Sequence, residues 1–502
     1  MHQKDVTRGE VVKGAGLVGL GRASGVIEFV AQPLYIWLFG LATYGLYVVL
    51  WGSINFITNV INLSLPLALQ RQIPAEESEE HACATVKAAL LISVLPALLL
   101  ALLVTLNAAW IASFFSAAPQ DQDALPRAVA VFIWGLPLWI VVEVSTAAVR
   151  ARRAFGAEVR VRILWEQSAR ILFALLFFTA GLETTALIAA HLCSLILTAA
   201  LALRLLGRFY DLRLVASAPM PRNLLRGLLG SAFALLPSNL SRRLLIDGPP
   251  VILNLMLPGA AGAASAGLFE IGRKISTVPY IVRQSFQYVL APLSAAQARA
   301  DRAAIGPLYR FASRVSAALV VPLSGLLVFA GGDILSIYRD EAAAALPLLY
   351  ILVAARAVEA MAGPAATIIE SIGHRGLPLL NSLLSVGTWA ILTAILAPNY
   401  GAIGITAAVA LATVVSAYAP VVELRLTEGL SPFDRKLLVG LAVSLAGVVA
   451  MYGAKQVAGG PPGFLLVLGL WGATTWLALR FGLTAEDRSA FGSLARRLRL
   501  LA

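Results

Sequence analysis

The sequence predicts an all-α polytopic membrane protein of about fourteen transmembrane helices, arranged as two parallel six-helix repeats plus a C-terminal helix pair. Three observations carry that expectation. Hydrophobic residues make up 59% of the 502-residue chain and charged residues 13%, with a mean hydropathy of +0.82, too little polar surface to keep such a chain in water. Apolar runs of about twenty residues, each able to cross ~30 Å of hydrocarbon, recur from end to end. Pieces of the first half also return in the second at a nearly constant offset. Gly40–Tyr47 (GLATYGLY) matches Gly262–Phe269 (GAASAGLF) at 222 residues, Ile111–Phe114 matches Ile334–Ile337 at 223, and Ala124–Pro126 matches Ala345–Pro347 at 221.

In chain order, spans are expected near 15–38, 45–69, 87–107, 125–147, 163–181 and 185–206, forming a first bundle over 1–206. The first run contains Arg22 and Glu28 and leads into the second with no small-residue cleavage site, so it reads as an anchor rather than a leader. A linker follows over 207–226, with Pro219 and Pro221. The second bundle, 227–424, is expected to hold spans near 227–256, 265–291, 312–331, 346–370, 377–397 and 402–424. The remainder, 425–502, supplies an extra pair near 437–456 and 463–481 and a basic tail, with no counterpart in the repeat. Six helices per repeat is an even number, so both copies start on the same side of the membrane. Transporters built that way commonly place their site between the halves. The GLATYG phrase is expected to be a tight turn, its tyrosines suiting the membrane interface.

The net charge of +12 would suggest nucleic acid in a soluble protein, but here position decides. Of 39 Lys and Arg, 29 fall at or near one set of helix ends, three (Arg127, Arg339, Lys455) at the other, and seven within spans. The positive-inside rule places both termini in the cytoplasm, and the partners implied are membrane lipids, not nucleic acid.

A charge at bilayer depth costs roughly 2.5–3.5 kcal/mol on insertion scales, so such residues face protein or water, or snorkel from a helix end. On the eighth helix Glu270, Arg273, Ser276, Thr277, Tyr280, Arg283, Gln284, Gln287 and Tyr288 share an arc of about 140°, opposite Ile271, Val278, Val282 and Val289. That stripe is expected to line a polar cavity. On the tenth, Arg356, Glu359, Gly363, Thr367 and Glu370 share one face, and Arg356 is spaced to pair with Glu359. Asn55, Thr58, Asn59 and Asn62 line one side of the second helix, suited to sugar hydroxyls or to neighbouring helices. The seventh carries Arg242, Arg243 and Asp247, with Arg243 and Asp247 at i,i+4. Pro249 and Pro250 after them should break or bend it. Glu28, Asp247, Glu270 and Glu359 are the carboxylates available for ion coupling or pairing. His191 and Glu183 sit in and before the sixth helix and Glu143 in the fourth; a lone membrane histidine reads as a helix-packing residue rather than a proton relay.

Enzyme chemistry finds no support. Gly14-Ala-Gly16-Leu-Val-Gly19 fits GxGxxG formally but precedes a membrane helix and follows no strand. Cys83 and Cys193 lack metal-like spacing, no His-rich cluster exists, and no metal or cofactor is expected.

An arginine-bearing first helix, then Phe39-Gly40 and Tyr44-Gly45-Leu46-Tyr47, a polar second helix ending Pro66–Arg71, and GLFEIGRKIS over Gly267–Ser276 form a recognisable set. Together they resemble the polysaccharide flippases of the multidrug/oligosaccharidyl-lipid/polysaccharide exporter superfamily. The resemblance implies a V-shaped pair of six-helix bundles that moves undecaprenyl-diphosphate-linked oligosaccharide from the cytoplasmic to the periplasmic leaflet of a bacterial inner membrane. It implies partners in O-antigen or exopolysaccharide synthesis, namely a polymerase and chain-length machinery. The family's basic cavity matches Arg22, Arg242, Arg273 and Arg283. A lipid II flippase carries more basic residues in its first helix, where this chain has Ser24 and Glu28. A cation-coupled drug exporter of the same superfamily and a membrane polysaccharide polymerase or ligase are the rival readings. The polymerase or ligase needs a sizeable periplasmic loop that the sequence lacks.

Overall fold

The computed structural model describes residues 26–76, 78–152, 154, 160–182, 185–297, 305–373 and 376–500, and all regular structure among them is helical. Two compact units emerge, one running to Glu270 and one from Ile271 onward.

The first unit opens with α1 (Val26–Phe39) and α2 (Leu41–Ile61), joined by Gly40 alone. Gly40 has φ 85°, where a side chain would be strained. The turn is therefore one residue long, and the rest of GLATYGLY is helix, with Tyr44 and Tyr47 buried rather than at an interface. The span expected over 45–69 is broken after Ile61, because Leu63 (φ 49°) and Ser64 (φ 65°) take left-handed conformations before α3 (Leu65–Gln72), which has Pro66 in its first turn. Two adjacent non-glycine residues there cost energy that the surroundings must offset.

Next come α4 (Glu79–Leu106), N-capped by Ser78, then α5 (Ala108–Ala112) and α6 (Pro119–Gln122) in the following connection. The fourth span is α7 (Leu125–Phe132) and α8 (Gly135–Ala151). A π-helical turn over Arg160–Trp165 leads into α9 (Glu166–Thr179), then α10 (Ala186–Phe209) and α11 (Leu212–Ser217), which Asp211 caps. The unit closes with α12 (Arg222–Met256) and the head of α13 (Gly259–Gln297).

Of the break or bend expected at Pro249 and Pro250 there is no break: helix α12 runs on through both prolines. Both prolines are buried, and α12 packs along α2, where Gly52 leaves room for the Asp247 carbonyl. A closer contact joins α2 to α13. A methyl at Gly45 would strike the Ala263 carbonyl, and one at Gly267 would lie 3.1 Å from the Leu41 carbonyl. Small residues thus let the two backbones touch.

In the second unit the remainder of α13 is followed by α14 (Ile305–Phe329), α15 (Gly331–Leu335), a 3-10 turn (Asp340–Ala345) and α16 (Leu346–Ala362). Gly363 (φ 62°, ψ −151°) breaks the chain before α17 (Ala365–Ile372). Helix α18 (Leu377–Thr427) is two arms around Gly401 (φ 51°, ψ −125°). A Cβ on Gly404 would come within 3.1 Å of Ala397 N, although seven residues of straight helix would hold them about 10 Å apart. The arms match the expected spans 377–397 and 402–424.

Helices α19 (Arg435–Val457) and α20 (Gly460–Gly482) pack on each other and on α14, with Gly440 and Gly482 in backbone contact. The chain ends in α21 (Ala485–Ser489) and α22 (Ser493–Arg497), whose neighbours Leu483, Ala495 and Leu500 are buried with Phe311, Ala312 and Val315. Arg314 fastens this assembly. It pairs with Asp434, the N-cap of α19, and with Asp487 in the capping box of α21 at 2.5 Å.

Among the described residues nine helical stretches are long and apolar enough to cross a membrane, with α18 counted once, α7 joined to α8, and the Asp340–Ala345 turn joined to α16. Helices α12 and α13, at 35 and 39 residues, are long enough but too polar for that set, and they carry most of the candidate site.

Candidate functional site

In the first unit the break in α2 organises a polar network. Asn62, where α2 ends, accepts the Ser64 N–H through Oδ1 (3.1 Å) and donates Nδ2 to Glu143 of α8 (3.0 Å). This accounts for the left-handed corner: one asparagine satisfies the broken turn and ties it to a carboxylate. Arg162, in the π-helical turn, approaches the other Glu143 oxygen at 3.4 Å and lies over the Trp139 ring at 4.7 Å. From the opposite side Asn239 of α12 donates to Asn59 (3.3 Å) and Ser64 (3.2 Å), and Arg242 donates to Asn239 (3.1 Å). Asn59 also donates to the Asn55 carbonyl. The network thus has a buried asparagine–serine centre with an arginine at each end, and Arg242 itself is exposed.

A second buried cluster lies deeper in this unit. Arg170 donates to Glu166 (2.5 Å) and to the Tyr47 hydroxyl (2.7 Å), Tyr47 meets His191 Nδ1 (2.9 Å), and His191 Nε2 lies 3.5 Å from Glu166. The rings of Trp51 and Phe132 meet that of His191 at tilted angles. Arg170 is 7% exposed and its charge is matched inside the protein. Its i,i+4 spacing from Glu166 was the available signal.

Near the connection before α7, Asp121 is buried and both its oxygens accept from Thr43. Burial pushes this carboxyl above its usual range, and the Thr43 hydroxyl offsets only part of that.

In the second unit α13, α16 and the Gly363 break converge. Arg283 of α13 pairs with Glu359 of α16 and donates Nε to the Gly363 carbonyl at 3.2 Å. Arg356 donates to the other Glu359 oxygen at 2.6 Å and lies over the Tyr280 ring at 4.5 Å. Side-chain exposures are 8% for Arg283, 7% for Glu359 and 22% for Arg356.

Of the residues singled out from sequence, Tyr280, Arg283, Arg356 and Glu359 form this cluster, while Asn55, Asn59 and Arg242 join the first network. Asp247 lies 4.0 Å from Arg243. Glu270 is buried, and Arg273 and Gln287 are half-buried on α13. Arg22 and the Glu28 side chain lie outside the described residues. Ser64, Glu143, Arg162 and Asn239 were missed as site components. Asn239 stands three residues before Arg242, a helical spacing that could have flagged it. Among the described residues no group of His, Cys, Asp and Glu is placed to hold a metal ion.

No family model matches the chain, and no curated protein matches it in sequence. Solved structures do match in fold. A lipid II flippase, MurJ, in an inward closed conformation, aligns with a TM-score of 0.72 at 11% identity, covering 92% of this chain and 97% of that one. An inward-facing multidrug resistance MATE family transporter of the MOP superfamily aligns with a TM-score of 0.60 at 14% identity, over 90% and 97%. A MOP superfamily transporter from Pyrococcus furiosus, whose binding pocket is described as having reverse polarity, aligns with a TM-score of 0.57 at 15% identity, over 84% and 96%. At these identities the likeness is one of fold: a multi-pass membrane protein folded as MOP-superfamily transporters are.

Proposed function

We propose that this chain is a flippase that carries undecaprenyl-diphosphate-linked oligosaccharide repeat units from the cytoplasmic to the periplasmic leaflet of a bacterial inner membrane. The units would feed O-antigen or exopolysaccharide synthesis, alongside a polymerase and chain-length machinery. Fourteen spans in two parallel six-helix repeats, with both termini cytoplasmic, belong to the same proposal. The observation that carries it is the Arg283–Glu359–Arg356 cluster: two arginines share one largely buried carboxylate, leaving a net positive charge. A lipid diphosphate supplies the complementary dianion, whose phosphate oxygens match the guanidinium fork, while asparagines and Tyr280 suit sugar hydroxyls. An inside-negative potential of ~100 mV favours outward movement of the head by ~2.3 kcal/mol per charge.

The fold shared with MATE transporters favours one second reading, a cation-coupled multidrug exporter. A net positive cluster opposes cationic drugs. A lipid II flippase is the alternative within the flippase class.

Deleting the gene in its host separates these readings. The expected result is accumulation of lipid-linked repeat units on the cytoplasmic leaflet and loss of surface polysaccharide. Arg273→Ala or Arg356→Ala should reproduce that loss at normal protein levels. Drug hypersensitivity with intact polysaccharide would instead establish the exporter reading.

A further inference from the structure

The arginines of the second-unit cluster do different work. Three carbonyls around the Gly363 break are each taken by a side chain from another helix. Tyr418 of α18 donates to Val358 O (3.1 Å), Tyr309 of α14 to Ala362 O (3.1 Å) and Arg283 of α13 to Gly363 O (3.2 Å). A side chain at 363 is excluded twice, by the positive φ and by Ser313, whose hydroxyl a Cβ would strike. The break is therefore a built feature, and Arg283 is part of its frame: buried, with one donor on backbone and another on Glu359.

Arg356 has a different setting. Among the described residues its single hydrogen bond goes to Glu359, although a guanidinium offers five N–H donors. The group is held from one side by the Tyr280 ring and is the most exposed of the three charged members of the cluster. Glu359 is shared, with one oxygen on Arg283 and the other on Arg356.

We propose that Arg356 is the residue that receives a phosphate of the transported prenyl diphosphate, and that Glu359 occupies its fork until the substrate displaces it. This rests on the lipid-diphosphate reading given above. The geometry makes the exchange inexpensive. Releasing Arg356 does not strand Glu359 as a lone buried charge, because Arg283 keeps its own bond to it. Tyr280 keeps the guanidinium in place while its partner changes, so little side-chain order has to be created on binding. Glu359 also acts as a filter: a monoanion of low charge density competes poorly with a carboxylate already in place, whereas a diphosphate offers more charge and bidentate oxygens.

The test is titration of geranyl diphosphate into the purified full-length protein in neutral-lipid nanodiscs, read by calorimetry, with thermal unfolding of each variant as a folding check. Wild type should bind saturably, and Arg356→Ala should weaken binding at least about tenfold. Tyr280→Leu should weaken it by about threefold. Glu359→Gln, which preserves shape and one acceptor for Arg283 but frees Arg356, should tighten binding by about threefold or more. That gain is the decisive arm when adding Arg356→Ala to Glu359→Gln abolishes it, since loss of one nearby negative charge by itself would tighten binding with or without Arg356. Wild-type binding that Arg356→Ala leaves intact, or that Glu359→Gln fails to tighten, overturns the assignment while diphosphate recognition stands. Absence of binding by folded wild type overturns both.

Discussion

At Gly45 a single methyl group decides whether two helices can touch. A Cβ there meets backbone, the Ala263 carbonyl, which cannot turn aside as a side chain can; at Gly230 a Cβ meets nothing within 4 Å. Gly45→Ala should therefore cost roughly 1–3 kcal/mol by overpacking, while Gly230→Ala changes stability by less than about 0.5 kcal/mol. Thermal unfolding of the two purified variants measures the difference. The sequence marked Gly45 through the repeated phrase but assigned it to a turn, because a glycine kept for close approach looks the same in one dimension as a glycine kept for φ. The partner of Asn62 was equally hidden. Glu143 stands 81 positions away, and no periodicity connects them. Pairs three or four residues apart on one helix, such as Arg356 with Glu359, were legible because helix geometry alone brings them together.

Elements are held at their ends by charges that respond to acid in opposite senses. At the N-terminus of α19 burial alone would raise the Asp434 carboxyl, but its bonds to Arg314 and to the Leu437 N–H outweigh that, and it titrates below its usual 3.8. A depressed folded value means that Asp434 contributes its full stability above the unfolded value of about 3.8 and loses it as pH falls through the lower folded value. Asp121 has the reverse shift, so its burial destabilises increasingly as pH rises from 3.8 through its raised folded value. Acid unfolding followed by helical circular dichroism should thus respond oppositely. Asp434→Asn, still an N-cap, should cost roughly 1–3 kcal/mol at neutral pH and flatten the acid limb below about 3.8. Asp121→Asn should stabilise at neutral pH and lose that advantage on acidification. Among the elements themselves, the two arms of α18 were readable from Pro398-Asn-Tyr-Gly401 between apolar runs. The persistence of α12 through Pro249 and Pro250 was not, since a proline's cost depends on neighbours that only the folded chain supplies.

For the molecule as a whole, the distribution of basic residues makes a topological claim that chemistry can check. In a background with Cys83 and Cys193 replaced, Asn399→Cys and Gln456→Cys should react with a membrane-impermeant maleimide in intact spheroplasts. Thr427→Cys should react only after permeabilisation; all three native residues are exposed. Labelling of Thr427→Cys from outside would invert the assigned orientation. Helical class and most span positions were legible because hydropathy acts locally along the chain. The clusters at Glu143, Arg170 and Arg283 were not legible as units, since each is assembled from more than one helix.

The touching glycines of α2 and α13 have a bearing on how such a chain arose. Under the proposed repeat, Gly45 is equivalent to Gly267 and Leu41 to Ala263, at 222 residues in both cases. Gly45 rests on Ala263, and Gly267 rests on Leu41. Each position contacts the counterpart of the other, and that reciprocity is the mark of an isologous interface, the kind that joins two identical subunits about a dyad. A half-length ancestor would have met its twin through this same glycine, and gene fusion would have turned a dimer contact into an internal one. Both copies of the glycine would then have to be kept, one for each side of a contact that was once made by a single residue.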